Sequence, residues 1–163
     1  MSVVCCTDID LSSLRGLLKQ FGIELELVKP ADKIPGSWFG EPEAGIIQNT
    51  LYVRPDTPVH SALHESSHYI CMSDDRRQSL HTNAGGDYDE ENAVCYLSIL
   101  LSDYLSDFGR RRMFHDMDAW GYTFRLGSSR AWFEEDAADA KQWLIDHRLI
   151  EPDHTPCWRV RNK

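Results

Sequence analysis

Leu11, Leu14, Leu17, Leu18 and Phe21 recur at helical spacing between Asp10 and Gly22, which predicts an amphipathic helix over 10–21. The next six residues, Ile23-Glu24-Leu25-Glu26-Leu27-Val28, alternate apolar and charged side chains and predict a half-exposed strand ended by Pro30. Residues 31–43 are rich in proline, glycine and acidic groups and predict a loop, with a short strand at Ser37-Trp38-Phe39. Gly45-Ile46-Ile47 and Leu51-Tyr52-Val53, turning through Gln48-Asn49-Thr50, predict a strand pair and hence a small antiparallel sheet. Thr57 as N-cap and Pro58 at the first helical position then open a helix of roughly 15 residues, free of further proline or glycine through Met72.

The second half of the chain is helical in pattern. Polar residues from Asp74 to Asp89, with Gly85-Gly86 among them, predict a loop. Glu90 to Phe108 predicts a long helix, with Ala93, Val94, Leu97, Leu100, Leu101, Tyr104 and Leu105 as its apolar stripe and Gly109 as its stop. Residues 110–127 show no clear period. Ser128 or Ser129 caps a further, C-terminal helix reaching about His147, and the tail predicts a short strand at Cys157 to Val160. Elements of both kinds, with no repeat and no linker, predict an α+β fold in one domain over residues 1–163.

Composition narrows the function classes. With 163 residues, 42% of them hydrophobic, the chain can bury a substantial core. A formal charge of −9 argues against nucleic-acid or anionic-membrane partners, and Arg110-Arg111-Arg112 reads as a solvated helix end. No apolar run reaches membrane-spanning length, and the N-terminal residues lack the basic and apolar regions of a signal peptide, so a cytoplasmic location is expected. The five cysteines are odd in number and lack C-x-x-C spacing, which fits a reducing compartment and not a cysteine metal site.

Candidate chemistry is concentrated in His64-Glu65-Ser66-Ser67-His68, inside the helix that Pro58 opens. Two histidines four residues apart project from one helix face, so both imidazoles can reach one metal ion. Glu65, one step round, then sits where it can take a proton from an attacking water as general base. His60 extends the ladder by a turn, but the roughly 12 Å rise from His60 to His68 is too long for all three to share one ion. His81, Tyr88 and His115 are further groups that could donate a hydrogen bond to an oxyanion.

Catalytic zinc usually takes a third protein ligand. Glu90 and Glu91 open the next helix. Glu90 is in line with Ala93, Val94 and Leu97 and extends the core-facing stripe, whereas Glu91 follows the more polar flank with Cys95 and Ser98. The stripe favours Glu90. The bland alternative is that both are acids drawn to the start of a helix by its dipole.

H-E-x-x-H, a polar loop, and then Glu90-Glu91-Asn92-Ala93-Val94-Cys95-Tyr96-Leu97-Ser98-Ile99-Leu100-Leu101 resemble the ImmA/IrrE-type zincin domain, a gluzincin-like metallopeptidase, over residues 44–101. The resemblance implies a zincin-like arrangement: a small antiparallel sheet packed on the H-E-x-x-H helix and a second ligand-bearing helix, with the C-terminal helix added. It implies Zn2+ on His64, His68 and Glu90, Glu65 as general base, and a protein or peptide substrate that can be a regulatory protein. Ser61 to Tyr69 also resembles the motif region of the elongation factor P hydroxylase family, which implies Fe2+ and oxygen chemistry. Two histidines and a carboxylate can equally form the facial triad of a non-haem iron oxygenase acting on a protein. A third expectation is a non-catalytic, zincin-shaped interaction module.

Overall fold

Asp10 accepts a hydrogen bond from the Ser12 N–H and so starts helix α1 (Leu11–Lys19), which buries Leu14, Leu17 and Leu18. A computed structural model of the chain describes residues 2–162. Strands β1 (Glu24–Leu27), β2 (Gly45–Ile47) and β3 (Thr50–Val53) form one sheet in the order β1-β3-β2. The β2–β3 hairpin is antiparallel, as expected, but β1 lies parallel to β3, with Leu25 opposite Leu51. The sheet is therefore mixed rather than antiparallel. The reason is the loop over 28–44, which passes the C-terminal end of β3 and enters β2 on the far side, so the hairpin returns β3 in the direction of β1. Within that loop Ser37-Trp38-Phe39 forms no strand.

Helix α2 (Val59–Cys71) carries the H-E-x-x-H motif and is almost wholly buried. Its N-cap is Pro58, not Thr57. The Thr57 hydroxyl is used by the preceding turn, accepting the Arg54 N–H at 2.8 Å, and the N-terminal segment closes the helix start through Val59 N–H to the Val4 carbonyl. A short helix, α3 (Asp74–Gln78), lies within the stretch expected to be loop. Helix α4 (Tyr88–Ser102) begins two residues before the predicted start, because Asp87 accepts the Glu90 N–H and acts as cap. It also ends six residues before Phe108. Asp103 turns there to hold Arg110, at the start of α5 (Arg110–Trp120).

The predicted C-terminal helix is two helices, α6 (Ser129–Glu135) and α7 (Ala138–Asp146), broken where Asp136 turns out to pair with Arg125. The tail forms no strand over 157–160. It lies against α2 instead, with the Arg161 N–H donating to the Ile70 carbonyl at 2.9 Å. The core runs between the sheet and the pair α2–α4, and Ile46, Leu51, Leu63, Ile70, Leu97 and Leu101 are among its fully buried side chains. Helix and sheet content make the fold α+β. Among the described residues no helix is long and apolar enough to cross a membrane.

Candidate metal centre

Helix α2 delivers His64 and His68 to the same side, as their spacing requires, and their Nε2 atoms lie 3.1 Å apart. Helix α4 packs along α2 and brings the Glu91 carboxylate to them, with Oε2 at 3.6 Å from His68 Nε2. One donor atom from each of the three residues lies within 4.8 Å of the others. Glu65 lines the same cleft, a space of about 130 Å³ bounded also by Trp38, Phe39 and residues 82–85.

This differs from the expectation in one residue. Glu90 is not with the histidines. It is buried, and Arg76 grips its carboxylate with both guanidinium nitrogens at 2.8 and 2.9 Å, while Arg161 reaches it at 3.2 Å. Helical spacing correctly turned Glu90 inward, but the inward direction leads to two arginines. Glu91 lies on the flank that α2 faces, and the Gly86 N–H fixes one of its oxygens at 2.9 Å. The same loop needs glycine at 86, since a Cβ there would lie 1.9 Å from Glu90 Oε2. Arg76 also donates to the Gly85 carbonyl at 3.0 Å. Glu90, Arg76 and the loop over 84–86 therefore form a brace behind Glu91.

The donor set fits a divalent transition metal. Two bonds of about 2.0–2.1 Å meeting at a tetrahedral angle put the nitrogens roughly 3.3 Å apart, close to the separation found here. Burial pushes His64 down to about 4 and His68 well below its ordinary value, so both imidazoles are neutral at physiological pH and offer lone pairs. Their Nδ1 atoms are buried without a hydrogen-bond partner among the described residues, so the rings direct their polar contacts toward one another and Glu91. Burial also pushes Glu65 up to about 8, with the Glu43 and Glu91 carboxylates adding to the shift. A cation held by the neighbouring ligands would favour the ionised form of this carboxyl, the form that can accept a proton.

His60 stands apart from this group. It is fully buried, its Nδ1 lies 3.2 Å from the Tyr122 hydroxyl, and its ring packs on Trp120 and Tyr122. His81, Tyr88 and His115 do not line the cleft. His81 pairs with Thr82, His115 with Asp116, and Tyr88 stands exposed at a separate groove. That groove is larger, about 620 Å³, but it holds none of the residues that converge on the histidines. Arg76, Tyr122, Glu43, Trp38 and Phe39 also bear on the site, and none of them belongs to a motif that would mark it as functional. Only the last two carried a signal, a pair of large aromatics in a loop of glycines and prolines. No protein-family model, curated protein or solved structure matches the chain.

Proposed function

We propose that the chain is a zinc-dependent metallopeptidase, with His64, His68 and Glu91 holding the ion and Glu65 moving the proton. The observation that carries this reading is the convergence of two neutral imidazoles and a carboxylate on a cleft that a further, buried carboxyl also lines. When bound, zinc supplies Lewis acidity, which activates a water and polarises a carbonyl. Glu65 accepts the proton of the attacking water as the new C–O bond forms. It then delivers that proton to the departing amine nitrogen as the C–N bond breaks. Gly86 and the Arg76–Glu90 pair hold Glu91 in place, and the histidines stay neutral because they are buried.

Glu65 also favours hydrolysis over the iron-dependent alternative. A facial triad needs only two histidines and one carboxylate, so a second carboxyl beside them is not required by that chemistry, whereas hydrolysis uses it as the proton carrier. The test is elemental analysis of the purified protein, followed by peptide hydrolysis with wild type and Glu65→Gln. Stoichiometric zinc in both proteins, with hydrolysis in wild type only, is the expected result. Stoichiometric iron, or full hydrolysis by Glu65→Gln, would overturn it.

A further inference from the structure

Peptides often bind by adding a strand to a sheet edge, where main-chain hydrogen bonds supply affinity whatever the side chains. The sheet edge joined to the cleft wall is β2, through Thr82, and its outward groups are already used. The Ile46 N–H donates to the Gly36 carbonyl at 3.2 Å, the Ile46 carbonyl accepts the Thr82 N–H at 2.9 Å, and the Gln48 N–H donates to the Leu80 carbonyl at 2.8 Å. Gly45 permits this closure, because a Cβ there would meet the Pro35 carbonyl at 1.9 Å. The wall of the cleft over 83–86 is similarly engaged. The N–H groups of Asn83, Gly85 and Gly86 bond within the loop or to Glu91, and the carbonyls of Ala84 and Gly85 accept from Arg76.

What the cleft does offer is aromatic surface. Trp38 and Phe39 line it and are 58% and 68% exposed, on a loop whose neighbouring residues are anchored to β2 and to Ser61. Large apolar side chains held adjacent at the mouth of a site normally have a partner to cover them. We propose that Trp38 and Phe39 are the specificity surface of the site. They select a peptide with a bulky apolar side chain beside the bond to be cleaved, through side-chain contact in place of main-chain strand addition. This rests on the metallopeptidase reading for its ligand, a peptide, and adds which peptide.

Because both side chains are exposed, a Trp38→Ala/Phe39→Ala double variant keeps its core intact. Zinc uptake is measured first. N-acetyl hydroxamates of phenylalanine, leucine and glycine are then titrated calorimetrically into zinc-loaded wild type and the double variant. Wild type is expected to bind the phenylalanine and leucine compounds at least about tenfold more tightly than the glycine compound. The variant is expected to lose that preference at unchanged zinc content. Equal affinities in wild type, or a preference that survives in the variant, overturn the specificity surface and leave the metal centre standing. Absence of zinc uptake overturns the metal reading and this inference with it. In a protein that holds zinc but cleaves no peptide, the hydroxamate preference still decides the role of Trp38 and Phe39.

Discussion

Glu90 and Glu91 are consecutive on α4, yet their carboxylates serve different neighbours. Glu91 Oε2 lies 3.6 Å from His68 Nε2, and Glu90 is gripped by Arg76 and approached by Arg161. Removing each should therefore fail in a different way. Glu91→Ala should keep its fold and lose zinc affinity by more than the roughly 10- to 100-fold typical of a residue that only supports a ligand. Glu90→Ala should cost about 3 kcal/mol of stability, the low end for breaking a buried ion pair, because the Arg76 side chain is 39% exposed and can be rehydrated. Competition with a zinc chelator and urea unfolding measure the two effects separately. Equal zinc loss in both variants, with equal stability, would contradict the division.

Gly86 tests the brace behind Glu91. A methyl group there would overlap the Glu90 carboxylate, with its Cβ 1.9 Å from Oε2, and would push the loop whose N–H holds Glu91. Gly86→Ala is expected to weaken zinc binding by about 10- to 100-fold through misplacement of Glu91, and to destabilise the protein by about 1–3 kcal/mol. Gly16, midway along α1, has nothing within 4 Å of an added Cβ. Gly16→Ala should instead stabilise by about 0.5–1 kcal/mol, since alanine loses less backbone freedom in a helix. Chelator titration and thermal unfolding of the pair separate a local clash from a general intolerance of substitution.

These assignments also show how far the sequence could reach. Period alone predicts α1, the β2–β3 hairpin and the motif helix, because each is a local pattern with a local stop. It also turns Glu90 inward correctly, and Glu90 is 3% exposed. It could not say what waits inside, because Arg76 and Arg161 lie 14 and 71 residues away. The parallel β1–β3 pairing is similarly hidden, since it depends on which end of β3 the loop over 28–44 passes. Tyr122 reaches His60 from a stretch with no clear period, so its contact could come only from the packing of α5 on α2.

Buried titratable groups give the metal-free protein a specific pH profile. His60 and His64 are pushed down to about 4, so between pH 6.5 and about 4 the unfolded chain takes up protons the folded chain refuses. Their contribution is present above 6.5 and lost as pH falls. Glu65 has the opposite sign. Raised from 4.5 to about 8, it stays protonated in the fold while the unfolded carboxyl ionises, so its contribution is lost as pH rises through that window. Between 4.5 and 6.5 these two histidines, joined by His68, which burial also holds well below its ordinary value, outweigh the Glu65 carboxyl, and above 6.5 Glu65 sets the slope. Stability of the chelator-treated protein should therefore peak near pH 6.5 and fall by about 2 kcal/mol toward pH 8. Urea midpoints from pH 4 to 9 test this. Glu65→Gln should remove the alkaline fall, and so should added zinc, whose charge favours the ionised carboxyl.

Arg76 and Arg161 approach Glu90 from different parts of the chain, and the tail arginine has other duties. It donates to the Cys71 carbonyl at 3.2 Å, and its own N–H bonds to the Ile70 carbonyl, so it closes the C-terminal end of α2. Arg77 adds donors to the Tyr69 and Met72 carbonyls and to that of Arg161, tying the tail to the same helix end. Orphan carbonyls at a buried helix end are costly, and a guanidinium satisfies several at once. Either Arg76→Met or Arg161→Met alone leaves Glu90 one cationic partner. The double variant leaves the buried carboxylate without either. Its loss should exceed the sum of the single losses by about 0.5–3 kcal/mol, the coupling expected of residues sharing one partner. A double-mutant cycle on urea unfolding measures that excess. Additive losses would mean that only one of the two arginines compensates the Glu90 charge.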